Sequence, residues 1–282
     1  MKKILFPTDF SEVTQKAFVY ALDLANQLNA SITTLHAYQK PDVGDFVMPA
    51  SLSEFYEGLD WNEFENYQQE IPALRQIADD RNLSHIQINH AMVEGETIST
   101  ITKIAASEAY DLIIMGTEGA SVLKEIFVGT HAGEVMEEAP CPVITIPNQA
   151  DFDGRIDKIG VTIDFSTDDI KVIHNVLKLA NALKANVEVL HVDLTNTGMI
   201  TQKMQEFETA FANYNELTFV EIEGDSVIEA VANYAENNNI DILAMVTHKR
   251  NFIQELFSFS HAKKMTYQQK VPVYAIPEQI LK

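Results

Sequence analysis

DLIIMGTEGASVLKEIFVGTHAGEV, residues 111–135, opens with an apolar run from Leu112 to Met115. Four such residues suit a strand covered on both faces, and Gly116 and Gly119 end it in a turn. Gly129 then precedes Thr130 and a pattern of helical spacing, Ala132, Val135 and Met136, so Thr130 stands where a helix cap is expected. Strand, glycine loop and helix start in this order place unpaired backbone N–H groups and the positive end of a helix dipole against the loop. Glycines there let an anion approach the main chain without a Cβ in the way. The stretch reads as a phosphate cradle, although it matches neither Gly-x-Gly-x-x-Gly nor a Walker loop.

The surrounding chain supplies the sheet. KILFPTDFS (3–11) gives a short strand ending at Pro7-Thr8-Asp9, and Ser11 caps a helix whose apolar positions are Ala17, Ala21, Leu22, Ala25 and Leu28. A second strand, Ser31 to Tyr38, completes a βαβ unit. The same text returns 155 residues later as KIGVTIDFS (158–166), where Ser166 with Asp169 resembles a capping box. DLANQLNASITTLHA (23–37) returns as KLANALKANVEVLHV (178–192), and VEGETISTITKIAASEAYDLIIM (93–115) as IEGDSVIEAVANYAENNNIDILAM (222–245). LKEIFVGTHA (123–132) is echoed by IQELFSFSHA (253–262), and PVITIP (142–147) by PVYAIP (272–277).

A repeat on this scale is a duplication of whole domains. The units expected are residues 1–147 and 156–282, joined by the polar segment 148–155. Each half alternates strand and helix, which predicts an α/β fold of two tandem doubly wound, five-stranded parallel sheets, Rossmann-like, packed as a pseudo-two-fold pair. In such sheets ligands lie beyond the carboxyl ends of the strands, where Asp9 and Gly116 both fall. The offset between repeats falls from 155 to 129 within residues 39–80, so the first half carries 26 additional residues there, rich in aromatics. They read as a longer helix covering the sheet or as a lid.

Among 282 residues, 41 are acidic and 20 basic, and the formal charge of −21 opposes binding to nucleic acid or an anionic membrane. A phosphate ligand must then be held by backbone amides and local fields. No apolar run reaches the length of a membrane span, and Met1-Lys2-Lys3 leads straight into a strand, so a cytoplasmic protein without a leader is expected. Cys141 is the sole cysteine, which excludes an internal disulfide and reads as a small buried hydrophobe.

The glycine spacing, with Thr130 and the tandem repeat, resembles the universal stress protein family over nearly the whole chain. The resemblance implies an adenine nucleotide, ATP, ADP or AMP, held by Pro7, Thr8 and Asp9, by the backbone at Ala37, and by Met115, Gly116, Gly119, Gly129 and Thr130. His131 follows the hydroxyl residue and joins the candidate set. Asp9 suits a ribose or adenine contact, with a turn or cap aspartate as the alternative. Glu118 inside the loop repels phosphate, so either Mg²⁺ bridges or the ligand carries fewer phosphates. In the second copy Gly116, Gly119 and Gly129 become Val246, Lys249 and Phe259, and Pro7 and Thr8 become Thr162 and Ile163. One nucleotide per chain, in the first half, is therefore expected. His131, His261, His36 and His191 read as packed histidines, and no catalytic or metal-ligating set is identified. The functions weighed are a nucleotide-binding regulatory protein of the stress response acting on a protein partner, a slow ATPase, and a ligand-free scaffold. The repeated strands PVITIP and PVYAIP resemble those through which family domains pair, implying an intramolecular pseudo-dimer, with a homodimer left open.

Overall fold

The computed structural model describes residues 1–39, 50–117, 130–150, 152–166, 168–194, 201–247 and 270–282. Its first half runs β1 (Lys3–Pro7), α1 (Glu12–Leu28), β2 (Ser31–Tyr38), α2 (Ala50–Asp80), β3 (Ile88–Glu94), α3 (Thr97–Ser107), β4 (Leu112–Gly116), α4 (Thr130–Glu138) and β5 (Val143–Ile146). The second half supplies β6 (Lys158–Thr162), α5 (Asp169–Leu183), β7 (Asn186–Asp193), α6 (Thr201–Ala210), β8 (Leu217–Glu223), α7 (Val227–Asn237), β9 (Ile242–Val246) and β10 (Val273–Ile276). A 3₁₀ turn, Glu278–Leu281, follows.

The strands form one sheet in the order β3-β2-β1-β4-β5-β10-β9-β6-β7-β8. Each half is a parallel five-stranded unit, and β5 meets β10 antiparallel through Val273↔Thr145, Tyr274↔Ile144 and Ala275↔Val143. The internal pairing expected of PVITIP and PVYAIP is thus made, and it joins the two sheets edge to edge. The apolar runs become strands buried on both faces. Ile4 and Phe6 point to the core under α1, α2 and α5, while Leu5 and Ile113 point to the core under α3, α4 and α7.

Local signals explain the helix ends. Ser11 Oγ accepts the Thr14 N–H, and Asn29, in the left-handed region at φ 51°, closes α1 through its N–H to the Ala25 carbonyl. The capping box expected at Ser166 is only half made. Asp169 accepts the Ser166 and Asp164 N–H groups at 2.8 and 3.0 Å, but the Ser166 hydroxyl has no partner and Asp168 occupies the N-cap without a side-chain bond. The Asp169 carboxylate is committed to the turn after β6, which displaces the helix start past Ser166. Thr130 is the first residue of α4 rather than the one before it, a shift within the ordinary uncertainty of helix ends.

Among the described residues, the additional length of the first half appears as a longer helix, while residues 40–49 lie outside them. α2 spans 31 residues against 10 for α6, with Pro72 inside it. The polar segment between the halves lies along α1. Phe152 packs on Tyr20 with the rings tilted by 32° and their centroids 4.0 Å apart, and the Gln27 amide donates to the Gly154 carbonyl.

Candidate functional site

Strand order in the first half reverses at β1, which has β2 on one side and β4 on the other. Pairing with β4 runs through Ile4↔Leu112 and Leu5↔Ile113, whereas β1 follows β2 as far as Pro7↔Leu35. The carboxyl ends of β1 and β4 therefore open from each other, at the place where parallel α/β sheets receive ligands. Pro7, Thr8 and Asp9 form one lip, and Met115, Gly116 and Thr117 the other.

Hydrogen bonds fix the first lip. The Thr8 N–H donates to the Leu35 carbonyl at 2.9 Å, and Thr8 Oγ1 accepts the Phe10 N–H at 3.0 Å. Phe10 takes a left-handed φ of 60°, and its counterpart Phe165 takes 62°. Asp9, exposed at the lip, accepts the Ser11 N–H at 3.1 Å and the Thr14 hydroxyl. The turn role weighed for Asp9 is thus realised. His36 braces the lip from β2 through a 3.0 Å bond to the Thr8 carbonyl. Because a carbonyl only accepts, the imidazole donates from Nδ1. Tyr67 of α2 packs on Phe10 and His36, with centroids 5.7 and 6.2 Å apart.

On the other lip Met115 is buried and Gly116 half-buried, and the next residue, Thr117, is buried with its N–H bonded to the Ile146 carbonyl at 3.0 Å. Sequence reasoning passed over Thr117, although its retention as Thr247 in the second copy was a signal. Ala37 lies near the end of β2, opposite Val93. The fold thus brings Pro7, Thr8, Asp9, Ala37, Met115 and Gly116 to the carboxyl edge of three adjacent strands. Gly119 and Gly129 lie outside the described residues, as do Glu118 and Lys124. Thr130 and His131 open α4, whose first-turn N–H groups lack intrahelical partners. Among the described residues no group of three or more His, Cys, Asp or Glu is placed to hold a metal.

The second half makes the same lip from other side chains. His191 Nδ1 donates to the Ile163 carbonyl at 3.2 Å, and Phe165 packs on that imidazole at 4.6 Å. Ile163 is buried where Thr8 stands in the first half, and Asp169 takes the place of Thr14. At the end of β9, Val246 is 3% exposed, so a branched side chain fills the position that Gly116 leaves bare. Lys249, Arg250, Phe259, Ser260 and His261 lie outside the described residues.

The model of the universal stress protein family matches residues 1–147 and 155–277. The universal stress protein MJ0531 of Methanocaldococcus jannaschii is 31% identical over 146 residues, covering 51% of this chain and 81% of that protein. The universal stress protein Slr1230 of Synechocystis is 22% identical over 97% of this chain and 99% of its own length. Among solved structures, a universal stress protein from Archaeoglobus fulgidus superposes with a TM-score of 0.71 at 19% identity, covering 98% of this chain and 96% of that one.

Proposed function

The chain belongs to the universal stress protein family, and from that premise we propose that it is a nucleotide-binding regulatory protein with one adenine-nucleotide site, in its first half. The observation that carries the reading is the difference between two matching strand ends. Gly116 is half-buried and has no Cβ, whereas Val246 is buried and branched. Only the first half keeps bare backbone where a phosphate has to meet N–H groups.

In this reading Asp9 accepts from ribose hydroxyls or the adenine amine, the Ala37 backbone meets the base, and Pro7, Thr8 and Met115 line the crevice. Gly116, Gly119, Gly129 and Thr130, with the first turn of α4 and His131, surround the phosphates. Mg²⁺ offsets Glu118 if the ligand is a triphosphate. Residues 1–147 and 156–282 act as two units joined by 148–155, and the second lacks a nucleotide. Occupancy of the first alters what the protein presents to a protein partner.

Calorimetric titration with ATP, ADP and AMP, with and without Mg²⁺, tests this on the whole chain and on Gly116→Val. The expected result is one nucleotide per chain, lost in the variant, with circular dichroism confirming that the variant is folded. A chain that binds no nucleotide, or one whose binding survives the substitution, overturns the proposal.

A further inference from the structure

The repeat makes the two ends of the β5–β10 junction comparable, and their charges differ. In the junction Val273 opposes Thr145 and Ala275 opposes Val143. Continued past the strands at one end, this register sets Gln279 level with Ala139, and there the Gln279 amide donates to the Ala139 carbonyl. The register thus persists beyond the paired residues. Continued at the other end, it sets Lys270 level with Asn148, whose Oδ1 accepts from Lys16 Nζ at 3.3 Å. Two exposed lysines, one from each half, therefore meet at one neutral amide.

The counterparts at the first end are different. Asn148 matches Glu278, Lys270 matches Pro140 and Lys16 matches Lys171. Glu278 pairs with Lys282 at 3.6 Å, and Lys171 with Asp168 at 3.3 Å. That end carries a carboxylate in place of the amide and a proline in place of Lys270. The chain has 41 acidic and 20 basic side chains, so an end built from two lysines and an amide runs against its general charge.

This lysine end adjoins the proposed site. The sheet runs β1-β4-β5-β10, and Gly116 at the end of β4 lies opposite Ile146 of β5. Asn148 follows two residues later, on the same carboxyl edge. Lys16 belongs to α1, the helix after β1, which shares a core with β4. A bond from the helix after β1 to the residue after β5 spans the end of β4, where Gly116 stands. Because β5 and β10 are antiparallel, the Glu278 end lies instead at the carboxyl edge of the second half, where Val246 fills the corresponding place. The asymmetry of charge and the asymmetry of the glycine thus fall on the same edges.

We infer that Lys16 and Lys270, with Asn148 between them, hold the terminal phosphates of the nucleotide, so that the second half completes the site of the first. The ammonium groups supply charge and donors, and the Asn148 carbonyl orients Lys16 while its amide N–H groups donate to phosphate oxygen. This rests on the nucleotide reading above and gives its site a preference for ATP over AMP.

Calorimetric titrations of the whole chain, Lys16→Gln, Lys270→Gln and Lys171→Gln with ATP and AMP at one fixed ionic strength test it. All three lysines are exposed, so the variants fold, and Lys171→Gln makes the same change of net charge at the other edge. The unaltered chain binds ATP more tightly than AMP. Lys16→Gln and Lys270→Gln each lower the ATP-to-AMP affinity ratio about fivefold, the weight of one unit charge at contact distance in water. Lys171→Gln leaves the ratio unchanged. If the unaltered chain binds nucleotide but either Lys16→Gln or Lys270→Gln shifts the ratio no more than Lys171→Gln does, this inference is refuted and the nucleotide reading stands. An unaltered chain that binds AMP as tightly as ATP has the same consequence. A chain that binds neither overturns both.

Discussion

Two buried tyrosines at the junction of the halves predict opposite responses to the same substitution. Tyr20 on α1 and Asn175 on α5 occupy matching positions of the repeat, as do Ile144 on β5 and Tyr274 on β10. Tyr274 is fully buried and donates its hydroxyl to Asn175 Oδ1 at 2.8 Å. Tyr20 is 2% exposed, and its hydroxyl has no partner. Burial, with the Asp241 and Asp153 charges, raises the Tyr20 pKa, so the hydroxyl stays protonated and its desolvation is uncompensated.

Tyr20→Phe removes that oxygen while keeping the ring on Phe152, and relieves a penalty of about 1–3 kcal/mol. At about 2–4 °C per kcal/mol for a domain of this size, the thermal midpoint rises by several degrees. Tyr274→Phe breaks a satisfied bond worth about 0.5–1.5 kcal/mol. Asn175 is half-buried and within reach of water, so the loss lies toward the lower figure and the midpoint falls. Urea and thermal unfolding at neutral pH, followed by circular dichroism, read both variants against the parent. A Tyr20→Phe chain that unfolds below the parent refutes the reasoning, as does a pair that shifts in the same direction.

Gly160 in β6 tests packing. A Cβ there would lie 3.2 Å from Ile240, Leu190 and Leu243 side chains at once, so Gly160→Ala destabilises by about 1–3 kcal/mol in urea unfolding. The matching aspartates Asp111 and Asp241 diverge on titration. Burial raises Asp111, but N–H bonds from Lys2 and Lys3 and the nearby positive charges outweigh it and the net shift is downward. Burial also raises Asp241, and there it prevails over the Lys158 and Asp157 N–H bonds, helped by the Asp153 and Asp157 charges. Asp111 thus contributes stability above its unfolded pKa that is lost as pH falls through the lower folded value. The Asp241 contribution is lost as pH rises from its unfolded pKa through the higher folded one. Carbon-13 titration of labelled carboxyls orders Asp111 below Asp241; the reverse order contradicts these assignments. Cys141, buried and with its thiol pushed up to about 12 by burial and by Asp111, reacts with a disulfide reagent at pH 8 only after denaturant is added.

The strands were legible because several, such as Leu112–Gly116 and Val143–Ile146, are apolar runs bounded by glycine or proline, and because the repeat displays every element twice. Pairing between β5 and β10 was legible for the same reason, since PVITIP and PVYAIP recur at the two chain positions that meet. The start of α5 was misread because Ser166 and Asp169 are near neighbours in sequence, while the carboxylate also serves the Asp164 N–H in the preceding turn. The packing of Tyr67 on Phe10 and His36 could not be read at all. Its formation depends on strand register and on which turn of a 31-residue helix faces the sheet, and neither leaves a local pattern. Pro7, Thr8, Asp9 and Gly116 converge because the strand order reverses at β1, a property of the fold class rather than of those residues.

The antiparallel junction also ties the proposed site to the half that has lost its glycines. β5 and β10 are each the last strand of a parallel unit, and their pairing removes two edges that would otherwise present open backbone groups. The residues after β10 then reach back across the junction, where the Gln279 amide donates to the Glu138 and Ala139 carbonyls at the end of α4. Those carbonyls are orphan acceptors at the end of that helix. The end of α4 is thus held by the second half.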